Sequence, residues 1–221
     1  MWSRRPRRSF IAEGMRDRDL VRLHWPVELR PAFDALFGID NALGEVVANS
    51  TQPALGAIRL AWWREALERL DTSPPPPEPR LLAVHSELLS RNVSGAELGS
   101  LADGWAALFE EERDAARIAD RGVVLFSIGA KLLGADDPMV EQAGRLFALT
   151  DAARRGLAPP LADNSYRDAL AGHRFARQLR PLTALARLAA RDVKQRPAIE
   201  PEATPGRAAA LLSHRLFGTV A

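Results

Sequence analysis

Residues 53–70 read PALGAIRLAWWREALERL and decide the fold class. Pro53 opens the stretch, and no breaker follows until the prolines beyond Asp71. That pattern predicts one long helix with proline at its first position. At 100° per residue, Leu55, Trp62, Trp63, Ala66 and Leu70 fall on one face, and Arg64, Glu65 and Glu68 lie opposite. Arg59 projects from the middle of the apolar arc. A guanidinium is not left unpaired in a core, so this reading gives Arg59 an acidic partner, an anionic ligand or water.

The segments on either side repeat the helical signal. From Pro31, Phe33, Leu36, Phe37, Leu43, Gly44 and Val47 form an apolar stripe with Asp40 at its centre. After Asn49–Gln52 and the tryptophan helix comes DTSPPPPEPR, a stiff proline-rich loop at residues 71–80. A short helix is expected at 81–92, and Ser94-x-x-Glu97 is a capping box for the next. That helix ends in an acidic run, Glu110 to Asp114, which reads as a solvated face with i,i+4 pairing rather than a metal site. Gly122 to Gly134, GVVLFSIGAKLLG, is apolar nearly all round and predicts a buried central helix. Asp137-Pro138 reads as the cap and first position of another helix, with Val140, Gly144, Phe147 and Asp151 along its stripe. Helices at about 165–179, 182–195 and 206–217 complete the chain. No strand pattern, phosphate-binding glycine loop, repeat or nucleophile elbow occurs.

Composition agrees with an all-α fold class. Of 221 residues, 47% are hydrophobic, enough for the core of one domain. Alanine, leucine and arginine dominate over β-branched and aromatic residues, which favours helices. The absence of cysteine removes disulfides and thiolate chemistry, and the four histidines have no metal-ligand spacing. No apolar run reaches the ~20 residues of a spanning helix. Charge is uneven: residues 1–30 carry 8 basic and 4 acidic groups, residues 31–144 carry 9 and 18, and residues 145–221 carry 13 and 6. Basic ends therefore flank an acidic middle. They suit phosphates of a lipid or diphosphate, or ordinary solvated surface. No nucleic-acid motif is present, so no nucleic-acid partner is expected. Residues 1–14, with four arginines around a proline and no apolar h-region, read as a basic, disordered tail rather than a secretory signal.

LGAIRLAWWREAL resembles the G-x-I-R-L-Q-W-W-R-x-A-L stretch of a branch of the squalene/phytoene synthase family. The order of segments resembles that family from about Asp17 to Phe217. The stretches that carry it are LFGIDNALGEV, IRLAWWREAL, GVVLFSIGAKLLG, AGRLFALTDAARR and the closing LLSHRLFG. The resemblance implies an isoprenoid-synthase-type single-domain helical bundle around a central cavity, spanning residues 15–221. Active members condense two prenyl diphosphates head to head, with two aspartate-rich motifs holding Mg²⁺. The chemistry needs hard oxygen ligands, because diphosphate leaves only when its charge is neutralised.

This chain departs from both motifs. No Asp-x-x-x-Asp occurs anywhere in it. At the first place, Gly38 to Gly44 keeps only Asp40; at the second, Thr150 to Gly156 keeps only Asp151, followed by Arg154 and Arg155. The pattern resembles the family's non-catalytic branch, which includes complex I assembly factors. The expectation is thus a protein that has lost Mg-dependent prenyl transfer and acts in assembly, partner binding or lipid binding. The alternative is a divergent prenyltransferase acting on farnesyl or geranylgeranyl diphosphate, and only that alternative calls for Mg²⁺. Candidate residues are a polar cluster of Asp40, Arg59, Asp151 and Arg154, and an apolar or prenyl wall of Trp62, Trp63, Phe37 and Phe147. The inward charges read either as a register-locking ion pair or triad, or as a remnant ligand site. A protein partner, a lipid-like ligand and a peripheral membrane contact through the basic ends are the expected partners, in the cytoplasm.

Overall fold

A computed structural model describes residues 16–195 and 199–221. The basic tail expected at residues 1–14 lies outside the described residues. The chain is all-helical: α1 (Asp17–Arg22), α2 (Arg30–Asn49), α3 (Pro53–Arg69), α4 (Pro79–Glu87), α5 (Gly95–Gly99), α6 (Leu101–Ala106), α7 (Ala115–Leu133), α8 (Val140–Arg154), α9 (Ser165–Asp168), α10 (Arg180–Gln195) and α11 (Pro205–Phe217). Among the described residues the β pairing is a single antiparallel bridge between Arg174 and Thr219.

The helix starts follow local chemistry. Proline stands in the first turn of α2, α3, α4 and α11, where its missing N–H costs nothing. Ser94 accepts from the Glu97 backbone N–H and Glu97 accepts in return from that of Ser94. Asp114 receives the backbone N–H groups of Ala116 and Arg117 at the start of α7, and Thr204 receives that of Arg207 at the start of α11. Gly134 and Gly218, both at positive φ, end α7 and α11.

The core is organised around α7 and α8, which lie against each other along much of their length. Their backbones touch at Gly122 and Gly144: a Cβ on Gly122 would sit 1.9 Å from the Gly144 carbonyl oxygen. α10 covers α8 and carries α11, while α2 packs on α4 and α3 on α5. An aromatic series links α2 to α7 and α8. Trp25 stacks on Phe33 and Phe37 at 4.9 and 5.6 Å, Phe37 meets Phe147 edge-on at 6.5 Å, and Phe147 meets Phe126 at 5.5 Å.

Three expectations need correction. First, α3 buries Gly56, Leu60, Trp63, Ala66 and Leu67, while Leu55, Trp62 and Arg59 are exposed. Apolar residues run round most of α3, so periodicity alone does not fix its rotation. Glycine contacts do. Gly56 abuts the Phe109 ring, and Gly95 of α5 abuts the Leu67 carbonyl, each too closely for a Cβ. Second, the helix expected at 165–179 is one turn, α9, followed by turns through Gly172 at φ +76° and the bridge at Arg174. Third, Asp137 accepts from the backbone N–H of Met139 in a turn, and α8 begins only at Val140.

Candidate functional site

The close passage of α7 over α8 brings Arg121, the neighbour of Gly122, between α2, α6 and α8. Gly104 of α6 makes room for it, since a Cβ there would lie 2.6 Å from that of Arg121. The Arg121 Nη1 donates to both oxygens of Asp40, at 2.7 and 2.9 Å. Its Nη2 donates to Asp151 Oδ2 and to the Ala148 carbonyl, both at 3.1 Å. The guanidinium lies 4.0 Å from the Trp105 ring centroid, and Trp105 Nε1 donates to Asp40 Oδ1 at 2.9 Å. Arg121 and Asp40 are fully buried. On the far side, Arg155 Nε donates to both oxygens of Asp151, at 3.1 and 3.0 Å, and its Nη2 donates to Asn41 at 2.8 Å. Burial alone would raise the pKa of Asp151, but Arg155, Arg121 and Arg18 outweigh it and hold the carboxyl below its ordinary range.

A second ionic cluster ties α1, α8, α10 and α11 together. The buried Arg207 donates from Nε to Asp17 at 2.8 Å and pairs through Nη1 with Asp192. Arg154 donates to Asp192 and to the Glu200 carbonyl, both at 3.1 Å. Arg191 Nε in turn donates to Glu200 at 2.6 Å.

Between the clusters lies a pocket of about 750 Å³. Phe147, Leu185, Leu188 and Ala189 give it an apolar wall; Arg18, Asp151, Arg154, Arg155 and Arg207 give it a polar one. Arg18 donates to the Phe37 carbonyl at 3.3 Å and stands 5.1 Å from the Phe37 ring centroid. Burial lowers its pKa, partly offset by Asp151 and Asp40. The charges along the walls nearly cancel. Arg16, Arg18, Arg154, Arg155 and Arg207 face Asp17, Asp19, Glu45, Asp151, Asp192 and Glu202.

The structure brings Asp40 and Asp151 together, but through Arg121 rather than Arg59. Arg59 is exposed on α3 and forms no hydrogen bond or ion pair with the described residues. Arg154 and Phe147 line the pocket, whereas Phe37 lies behind it in the aromatic core. Trp63 is buried under α3, and the half-exposed Trp62 stacks edge-on against it, so neither walls the pocket. Arg121 is the residue that sequence reasoning missed. Its signal was present: it directly precedes the apolar run Gly122 to Gly134 in the middle of α7, one residue before a glycine. Asp17, Asp192 and Arg207 were missed as well, because each sits on a different helix and their pairing depends on how α1, α10 and α11 pack.

The Mg²⁺ that the resemblance implies for active members needs carboxylates free to coordinate it. Asp40 already accepts from Arg121 and Trp105, and Asp151 from Arg121 and Arg155. Among the described residues, no three His, Asp or Glu side chains group so as to share one cation. The donor set does not fit the metal. No family model, no curated protein and no solved structure matches the chain.

Proposed function

We propose that this is a non-catalytic helical protein of the squalene/phytoene synthase type, with the isoprenoid-synthase bundle, whose pocket holds a lipid-like molecule. One observation carries the proposal: Arg121 bridges Asp40 of α2 and Asp151 of α8, the two carboxylates that the resemblance sets at the places of the family's metal motifs. A built-in guanidinium neutralises them, which leaves no ligand pair for Mg²⁺. The pocket supports a binding role. Its volume falls in the usual ligand range of about 300–1,000 Å³. Its apolar wall suits a hydrocarbon chain, and its charge-balanced polar wall suits a zwitterionic or neutral head better than a diphosphate with several negative charges.

Calorimetric titration tests this directly. Farnesyl diphosphate is titrated with and without Mg²⁺, and a short-chain phosphatidylcholine below its micelle concentration is titrated in parallel. The expected result is heat of binding for the zwitterionic amphiphile and no Mg²⁺-dependent binding of the diphosphate. A head-to-head product from farnesyl or geranylgeranyl diphosphate would refute it. The divergent-transferase reading is kept in view by Asp19, Glu45 and Glu202, further acids along the pocket. It requires that loss of one of them abolish Mg²⁺-dependent binding.

A further inference from the structure

Half of the large apolar side chains exposed among the described residues lie on α11 or in the connection between α1 and α2. Leu212, Leu216 and Phe217 of α11 are 57%, 62% and 55% exposed, and Leu23 and Val27, between α1 and α2, are 66% and 69% exposed. Leu212 and Leu216 are one turn apart on the same helical face, with Phe217 beside them. The end of α11 is held rigidly. Arg180 Nη1 donates to the carbonyls of Arg215 and Leu216 at 2.9 and 3.0 Å, and the Phe175 N–H donates to the Gly218 carbonyl at 2.9 Å. α1 packs against α11, and the His24 pKa is lowered by burial and then by the positive charge of Arg215.

Charge at this end is one-sided. No acidic residue occurs from Ala169 to Arg191, or from Ala203 to Ala221. Arg174, Arg177 and Arg215 are exposed and have no carboxylate partner among the described residues. Elsewhere, the exposed Arg22, Arg64 and Arg69 are each paired with an acid, while Arg59 and Arg113 stand singly among the described residues. Exposed apolar side chains on α11, with unpaired guanidiniums on the same helix and on the segment bridged to its end, are the complement of an anionic bilayer. The hydrocarbon groups enter the headgroup region and the arginines meet lipid phosphates.

We propose that the α11 end, with Leu212, Leu216 and Phe217 inserted and Arg174, Arg177 and Arg215 on the lipid phosphates, docks the protein on an anionic membrane surface. This contact is separate from the pocket, so its failure leaves the lipid-holding proposal untouched.

Flotation of the full chain with phosphatidylcholine vesicles, with and without phosphatidylserine, at low and high salt, is the test. Binding is expected only to phosphatidylserine vesicles and only at low salt. Reversing Arg174, Arg177 and Arg215 together to glutamate should weaken it about 100-fold or more. The exposed substitutions Leu212→Ser, Leu216→Ser and Phe217→Ser together should abolish flotation without changing the melting temperature. Leu55→Ser, Ile58→Ser and Trp62→Ser on α3, a comparable apolar surface with the single unpaired guanidinium of Arg59 instead of three, should leave flotation unchanged. The proposal is overturned by absence of flotation at low salt, or by α11 variants that float like the wild type. It is also overturned by lipid-independent self-association that the α11 substitutions abolish, which would assign the face to a protein.

Discussion

Replacing Arg121 by methionine isolates the energetic weight of the buried network. Methionine keeps much of the apolar stem against Trp105 but removes the cation. Asp40, fully buried, would retain only the Trp105 Nε1 donor, while Asp151 would still have Arg155. Breaking a buried pair from one side costs about 3–5 kcal/mol, because a desolvated charge is left behind. For a chain of this length each kcal/mol moves the melting temperature by roughly 2–4 °C, so Arg121→Met should lower it by about 6–20 °C. The double variant Arg121→Met/Asp40→Asn removes both charges and keeps an acceptor for Trp105. It should recover most of that loss, to within about 2 kcal/mol of wild type. Urea denaturation followed by circular dichroism reads both variants, with Arg59→Ala as the surface control, expected within about 0.5 kcal/mol. An Arg121→Met protein within about 1 kcal/mol of wild type, or a double variant as unstable as the single one, would refute the account of a buried charge balance.

Other outcomes follow from the same geometry. Gly122→Ala places a methyl 1.9 Å from the Gly144 carbonyl oxygen and should cost about 3 kcal/mol or more by forcing α7 and α8 apart. Gly38→Ala, in the middle of α2 with nothing within 4 Å of the new Cβ, should instead stabilise by about 0.5–1 kcal/mol in the same denaturation assay. The buried His214 has its pKa pushed down to about 4 by burial, and it stays neutral between Thr183 and the Thr219 carbonyl. The unfolded chain therefore takes up its proton first. Stability should be constant above pH 6.5 and fall by about 1.4 kcal/mol per pH unit from there towards pH 4, with His24 adding in the same direction. His214→Gln should flatten that slope between pH 6.5 and 5, and an unchanged slope would place the proton uptake elsewhere.

The helices were legible because they rest on local rules. Prolines, caps and the 3.6-residue period act within a few positions, and they placed α2, α3, α10 and α11 close to their observed bounds, while α7 begins at Ala115, two turns before the expected Gly122. That Asp40 and Asp151 stand on apolar stripes was legible too. The choice of their partner was not. Arg59 and Arg121 both interrupt apolar runs. Only the rotation of α3, set by Gly56 against Phe109, turns Arg59 outward, and only the Gly122–Gly144 contact puts Arg121 beside Asp151. Both contacts are pairwise and distant in sequence, so no window of a single helix contains them. The collapse of the expected 165–179 helix has a similar origin. Its amphipathic pattern is genuine, but Gly172 permits the left-handed turn, and the backbone contact of Phe175 with Gly218 then ties the chain to the end of α11.

Under the proposed reading, the placement of Arg121 also bears on how a metal site becomes a structural one. Two carboxylates facing one another across a helical bundle repel strongly unless a cation stands between them. A divalent ion meets that need reversibly and remains open to a ligand's oxygens. A guanidinium fixed to α7 meets it permanently, with planar donors directed at Asp40 on one edge and at Asp151 on the other. Under the proposed reading, gaining such an arginine removes the selection on the remaining motif carboxylates. Each lost carboxylate then makes the arginine harder to reverse, since removing it later leaves Asp40 buried and uncompensated. Restoring metal binding would thus take coordinated changes: removal of Arg121, replacement of Arg155, and an acid at position 44 to rebuild an i,i+4 pair with Asp40. Gly44 blocks the last of these, because a Cβ there would sit 2.8 Å from Trp105 and 2.9 Å from Arg155. On that reading, the residues that hold the arginine network in place also close the sequence route to a metal site.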